Sequence, residues 1–165
     1  SKVEAIAKAK GAASIISQAI NENFELEGPG WTPLKAATIR QSLKATKTKR
    51  RKESRKEHHR AILQRSGLLK KAATTPGAEG NVYRTEGTKL IWGTDLFYAG
   101  IHNRGGTIQH PGTDTGFGMG IKIKPHMIQI PKRTFMVLRD IWKIRLLEFQ
   151  IDKLLAAMRE VIRGV

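Results

Sequence analysis

With 165 residues, no cysteine and a formal net charge of +16, the chain has the size of one ordinary domain and is strongly basic. The lack of cysteine excludes a disulfide framework and a thiolate metal site, and no apolar run approaches the roughly 18 residues that span a bilayer. A charge this large directs the chain toward polyanions, whether nucleic acid, an anionic membrane surface or an acidic protein.

The first segment, Lys2 to Phe24, reads as an amphipathic helix. Val3, Ile6, Ala13, Ile16, Ile20 and Phe24 recur at steps of three and four, with Lys and Glu on the other side. The opening SKVEAIAKAK lacks the apolar core of a signal peptide, so a cytoplasmic origin is expected. Gly28-Pro29-Gly30 ends the helix in a turn. Trp31 and Leu34 then anchor the next helix, with Thr32 as its cap and Pro33 in its first position. That helix runs through Thr38 and Arg40 into the basic run.

Charge is concentrated between Lys35 and Lys71, which carries +12 of the +16. Within it, residues 46–60 read TKTKRRKESRKEHHR and contain no large aliphatic or aromatic side chain. Such a run cannot be a buried helix. It is a solvated helix, a mobile loop or an arm, and is taken here as a basic arm over 44–60. Eight cations against two anions exceed what solubility requires, so contact with a phosphate backbone competes with a merely solvated face. The expected polyanion-facing residues are Lys47, Lys49, Arg50, Arg51, Lys52, Arg55, Lys56 and Arg60. No aromatic interleaves them, so base stacking is not indicated, and any DNA contact is independent of sequence.

Ile62, Leu63, Leu68 and Leu69 can dock on a core, with Ser66-Gly67 at a turn or helix start, and 74–80 reads as a loop. Strands are expected at Val82–Thr85 and Lys89–Trp92. Glu86-Gly87 between them suits an antiparallel hairpin. Leu96 to Asn103 reads as a helical turn or short helix, with Phe97, Tyr98 and Ile101 filling space between sheet and helices. Residues 104–120 hold six glycines in seventeen positions, a long flexible loop or the tip of an extended hairpin. Ile121–Lys124 and Met127–Ile130 give further strand signals, with Pro125 favouring an edge or bend. The last helix is expected from about Phe135 to Ile162. Its face of Leu138, Ile141, Trp142, Leu147, Ile151, Leu154, Met158 and Val161 suits a core or an inter-subunit contact. The fold class is therefore α+β: one domain over 1–165, an antiparallel sheet of about four strands, and long N- and C-terminal helices packed on it.

Catalysis finds little support. The carboxylates are scattered, so no acid–base pair is evident. His58 and His59 lie in the basic run, and His102, His110 and His126 lack metal-binding spacing. A nuclease built on His102 and Asn103 would need metal-binding carboxylates, for which Asp95 and Asp114 are weak candidates. The glycines after Arg104 fit neither GxGxxG nor a P-loop. Gly105-Gly106 suit a tight turn instead, with His102 and Asn103 bonding backbone. No catalytic residue, metal site or cofactor is assigned.

Four segments in order carry a resemblance: WTPLKAATIR (31–40), ILQRSGLL (62–69), WGTDLFYAGIHNRGG (92–106) and IPKRTFMVL (130–138). Together they resemble the phage virion morphogenesis family, the tail-completion or neck proteins of Mu-like and related tailed phages. The family pattern falls on Trp31, Pro33, Leu34 and Thr38, and on Leu63, Ser66, Gly67 and Leu69. It continues on Gly93, Thr94, Tyr98, Ala99, His102, Gly105 and Gly106, and ends on Pro131, Arg133 and Phe135. The resemblance spans roughly 24–140. The basic 46–60 run and the Gly-rich 107–120 loop depart from it.

The resemblance implies a non-enzymatic structural protein of the virion. It implies a homo-oligomeric ring, commonly of six subunits (twelve is the other count considered), at the head–tail junction around the DNA channel. The implied partners are a connector or portal-side protein, a tail tube or tail terminator protein and the genomic DNA, with no membrane. Location follows as the virion, and the host cytoplasm during assembly. In such a ring Gly112, Thr113, Phe117 and Met119 of the Gly-rich loop would reach a neighbouring subunit. Two rivals stand beside this reading: a sequence-independent nucleic-acid-binding protein outside the virion, and the His102–Asn103 nuclease.

Overall fold

The computed structural model describes residues 2–28, 30–40, 61–86, 89–112 and 124–163, with side chains from Lys10 onward. Helix α1 spans Lys2–Glu25, α2 Leu68–Thr74, α3 Ala99–Arg104 and α4 Asp140–Arg163. Strands β1 (Asn81–Glu86) and β2 (Lys89–Thr94) form one hairpin, and β3 (Gly106–His110) and β4 (His126–Ile130) another. Residues 36–40 are also helical.

The stripe on α1 supplies the centre of the fold. Ala13, Ile20 and Phe24 are buried on it, and Ile16 packs beside them. Val3 and Ile6 lie outside the residues whose side chains are described. Trp31 meets the Phe24 ring edge-on at 5.9 Å, and Phe135 lies 5.4 Å from it on another side. Ile62, Leu69, Ala73 and Ala99 close the cluster. Each large side chain buried here contributes about 1.5–3 kcal/mol.

Helix α2 docks on α1 through buried Leu69, Ala72 and Ala73, and Ser17 Oγ donates to the Thr74 carbonyl at 2.5 Å. Its last carbonyls would lack partners in a helix that stops at Thr74. The first hairpin provides them. Trp92 Nε1 donates to Ala73 O at 2.8 Å, and Asn81 Nδ2 to Ala72 O at 2.7 Å. The hairpin register runs from Asn81 opposite Thr94 to Glu86 opposite Lys89, antiparallel as expected.

The α+β class holds, but the strands do not form one sheet of four. They make two separate two-stranded sheets. The reason lies in α3, which follows β2 after residues 95–98 and carries the chain away. Gly105, at φ 76°, then turns it into β3. Both ends of the second hairpin are fixed to the end of α3. Gly105 N–H donates to Ile101 O, and Arg133 N–H to His102 O. Of the two expectations for 104–120, loop or extended hairpin, residues 106–110 follow the second, since they pair with 126–130. The other expected loop residues beyond Gly112, and Ile121–Ile123, lie outside the described residues, as do Pro29 and Gly87.

Three further expectations change. Trp31 to Lys35 is not helical, so Thr32 does not cap a helix and Pro33 does not open one. Phe97 does not fill the core: it is 94% exposed, beside Tyr98 and Leu96, which do pack inward. α4 begins at Asp140, since residues 131–139 are held extended or bent by side chains described below.

Only one stripe of α4 faces the domain. Arg139 and Trp142 both reach Glu22 of α1, and Phe149 lies against Gly11, so α4 runs antiparallel to α1. The face expected to serve the core or an inter-subunit contact divides: Trp142 is buried, whereas Ile141, Leu147, Ile151, Leu154, Met158 and Val161 are exposed.

Hydrogen bonds from Arg139 and then Trp142 hold the Glu22 carboxyl below its ordinary value of 4.5. The folded pKa is depressed, so this clamp contributes fully above the range where an unfolded glutamate titrates. It is lost as pH falls through the lower folded value. Thermal melts of the native protein and Glu22→Gln are expected to differ above pH 4.5 and to converge on further acidification. A constant difference would show that the carboxylate charge is irrelevant.

Candidate functional site

The segment from Pro131 to Val137, in the last of the four motifs, is bonded to both the first and the third. It has no helix or strand to satisfy its backbone, so side chains do so. Asn103, the penultimate residue of α3, accepts with one Oδ1 from the Phe135 N–H at 3.0 Å and the Met136 N–H at 3.1 Å. From the opposite side Asn23 of α1 donates through Nδ2 to the carbonyls of Phe135 and Val137, at 3.1 and 2.8 Å. Trp31 Nε1 donates to Thr134 O at 3.2 Å. Thr134 Oγ1 donates to Asn103 O at 3.3 Å. Two asparagines and a tryptophan thus clasp a short irregular segment and hold the Phe135 ring in the core.

Arg133 is turned inward, 7% exposed, and its Nε and a terminal nitrogen donate to Thr32 O at 3.2 and 3.0 Å. The contact joins the first motif to the last. Burial lowers the guanidinium pKa. His102 lies nearby, half-buried, and its Nδ1 has no hydrogen-bond partner among the described residues. Burial, then the Arg133 charge, pushes its pKa down, so the neutral ring is favoured. Among the described residues no three His, Asp or Glu side chains lie together as a metal site needs.

Gly105 permits the clasp to close. A Cβ built there would stand 2.9 Å from the Lys132 nitrogen, and φ 76° is in any case costly for other residues. Pro131 sits between β4 and this segment. Gly106 opens β3, while Gly93 and Thr94 end β2, with Thr94 Oγ1 accepting from Leu96 N–H at 3.3 Å. Tyr98 precedes α3, its ring 6.1 Å from that of His102. Leu34 packs on the core, Pro33 is exposed, Gly67 precedes α2 at φ 74°, and Leu63 adopts the left-handed φ of 62°.

Asn23 is the residue missed from sequence. It is fully buried next to Phe24, three positions after Ile20, and a polar side chain within an apolar stripe was its signal. The eight expected polyanion contacts from Lys47 to Arg60 lie outside the described residues, as do Thr113, Phe117 and Met119. Gly112 is described, its N–H donating to His110 Nδ1 at 3.0 Å. The second hairpin is exposed along both strands, with Ile108 and Met127 open to solvent. Among the described residues no helix is long and apolar enough to cross a membrane.

The described residues form a small α+β domain held by a polar clasp, with apolar side chains exposed on a hairpin and a long helix. The chain belongs to the phage virion morphogenesis family, whose model matches residues 6–150. That membership gives it a structural or morphogenetic role in the bacteriophage virion. No curated protein and no solved structure matches the chain.

Proposed function

We propose that the chain is a non-enzymatic subunit of a ring at the head–tail junction of a tailed phage, acting in neck formation, tail completion or tail termination. The observation that carries this reading is the family match over residues 6–150. The ring is a homo-oligomer of six, or by the same geometry twelve, copies around the DNA channel. A connector or portal-side protein lies on one side and a tail tube or terminator protein on the other. Assembly takes place in the host cytoplasm. The clasp suits this work: it ties α1, the first motif and the third motif to the last, and a ring needs well-defined subunits to close.

In this reading the basic run from Lys47 to Arg60 faces DNA or an acidic ring surface. A moving genome is best served by diffuse phosphate contact, since base readout would arrest it. The same run supports the second reading, a sequence-independent nucleic-acid-binding protein outside the virion. Reversing Lys49, Arg50, Arg51 and Lys52 to Glu is expected to leave the melting temperature unchanged. Joined particles in a complementation assay should fall roughly tenfold or more. Full joining would remove the run from the function, and loss of folding would make it structural.

A further inference from the structure

Strand β3 ends in His110-Pro111-Gly112, and β4 starts at His126. The sequence favours a turn after β3. Proline fixes its own φ, and glycine readily takes the left-handed φ of 84° that Gly112 adopts. The Gly112 N–H then donates to Nδ1 of His110 at 3.0 Å. Across the hairpin His110 faces His126, the last pair of the register. The two imidazoles stack with centroids 5.0 Å apart and planes inclined at 23°. His126 is also tied to backbone, its Nδ1 lying 2.9 Å from the Lys124 carbonyl oxygen.

These two backbone partners make opposite demands. A carbonyl oxygen only accepts, so His126 carries its proton on Nδ1. An N–H only donates, so His110 keeps Nδ1 bare, and its neutral form carries the proton on Nε2. The stacked imidazoles are therefore opposite tautomers, and they take up a further proton differently. His126 receives it on Nε2 and keeps its bond to Lys124. His110 can receive it only on Nδ1, where the Gly112 N–H already points. Protonation of His110 thus turns the acceptor into a donor and breaks the bond of the turn. Two charged imidazoles at this spacing also repel, and Lys124 adds a cation beside them in the chain. The neighbouring pair on the same face, Ile108 and Ile128, carries no charge. Among the described residues neither imidazole is paired with a carboxylate.

A metal ion shared by the pair is the rival use. It needs a lone pair on both Nε2 atoms, with each imidazole donating from Nδ1 to an oxygen behind it. His126 meets that condition, and His110 does not.

We infer that His110, Gly112 and His126 form a proton-sensitive latch at the end of the second hairpin. It is closed while His110 is neutral and opened by the proton that His110 takes up. Histidine changes charge between about pH 5 and 8. The latch is present above that range and lost as pH falls through it. It does not depend on the ring reading, and each can fail without the other.

The test uses nuclear magnetic resonance on the full chain, isotopically labelled at histidine and glycine nitrogen. At about pH 8 the proton is expected on Nε2 of His110 and on Nδ1 of His126. On acidification to about pH 5 the Gly112 amide resonance should move with the His110 titration. His110→Asn places an oxygen acceptor that does not titrate two residues before Gly112, the arrangement of an Asx turn. That variant should hold the Gly112 N–H at every pH. Relative to it, protection of the native Gly112 amide from hydrogen exchange should fall about two- to tenfold on acidification. His126→Gln should leave the Gly112 response in place. The same tautomer in both imidazoles overturns the latch. So does a Gly112 amide that ignores the His110 titration, or a His110→Asn variant that follows pH as the native chain does. The tautomers are read on the native chain, so they decide even where His110→Asn perturbs the hairpin.

Discussion

Replacing Phe135 by alanine is expected to destabilise the domain by about 3–5 kcal/mol. The ring is wholly buried, packs 5.4 Å from Phe24 and lies in the one cluster that unites α1, α2, α3 and the 131–137 segment. Its removal opens a cavity between parts that the clasp holds in place, so they cannot collapse into it freely. A domain of this size has a total stability of about 5–15 kcal/mol. The loss should therefore lower the melting temperature by about 10 °C or more. Urea unfolding with an unchanged slope would give the value directly. A cost below about 1 kcal/mol would mean that the segment is held by its hydrogen bonds alone.

Asn103→Ala is expected to cost about 2–5 kcal/mol, as much as a core deletion, although Asn103 is small and polar. One side-chain oxygen accepts from two backbone N–H groups, those of Phe135 and Met136. Alanine leaves both donors partly buried and unpaired, and each unpaired donor costs about 1–3 kcal/mol. Asn103→Asp keeps the acceptor for both N–H groups, so it should stay near native stability. That contrast distinguishes the acceptor from mere bulk. Equal destabilisation by Ala and Asp would show that the amide nitrogen or the side-chain shape is what matters. A nuclease role for Asn103 would not predict either stability change.

These two residues also show where sequence reading succeeds and stops. The β1–β2 hairpin is legible because alternation and a Glu-Gly turn are local signals, and α1 because its stripe is long. The clasp has no local signature. Asn23 and Phe135 are 112 residues apart, and Asn103 and Phe135 are 32 apart. The same clasp moves the start of α4 from Phe135 to Asp140, since the backbone of Phe135 and Met136 is already committed. β3 hides among glycines because five residues are too few for a periodicity to show. α4 teaches a different limit. Its apolar stripe was plain, but a stripe says only that something covers it. Trp142 was read as part of that stripe, whereas it lies with Phe149 on the inner side. Phe97 fails for the same reason, since hydrophobicity alone does not say which side of a turn faces the core. The Trp92–Gly106 region looked chemically loaded from its His, Asn and paired glycines, and in the structure Asn103 bonds backbone while burial favours the neutral form of His102.

The place of the protein in the particle is tested most directly by electron microscopy of purified phage particles in which this subunit carries a dense label. The account predicts label at the junction of head and tail, on one ring per particle. Label on the head shell or the distal tail, or particles that lack the protein altogether, would contradict it.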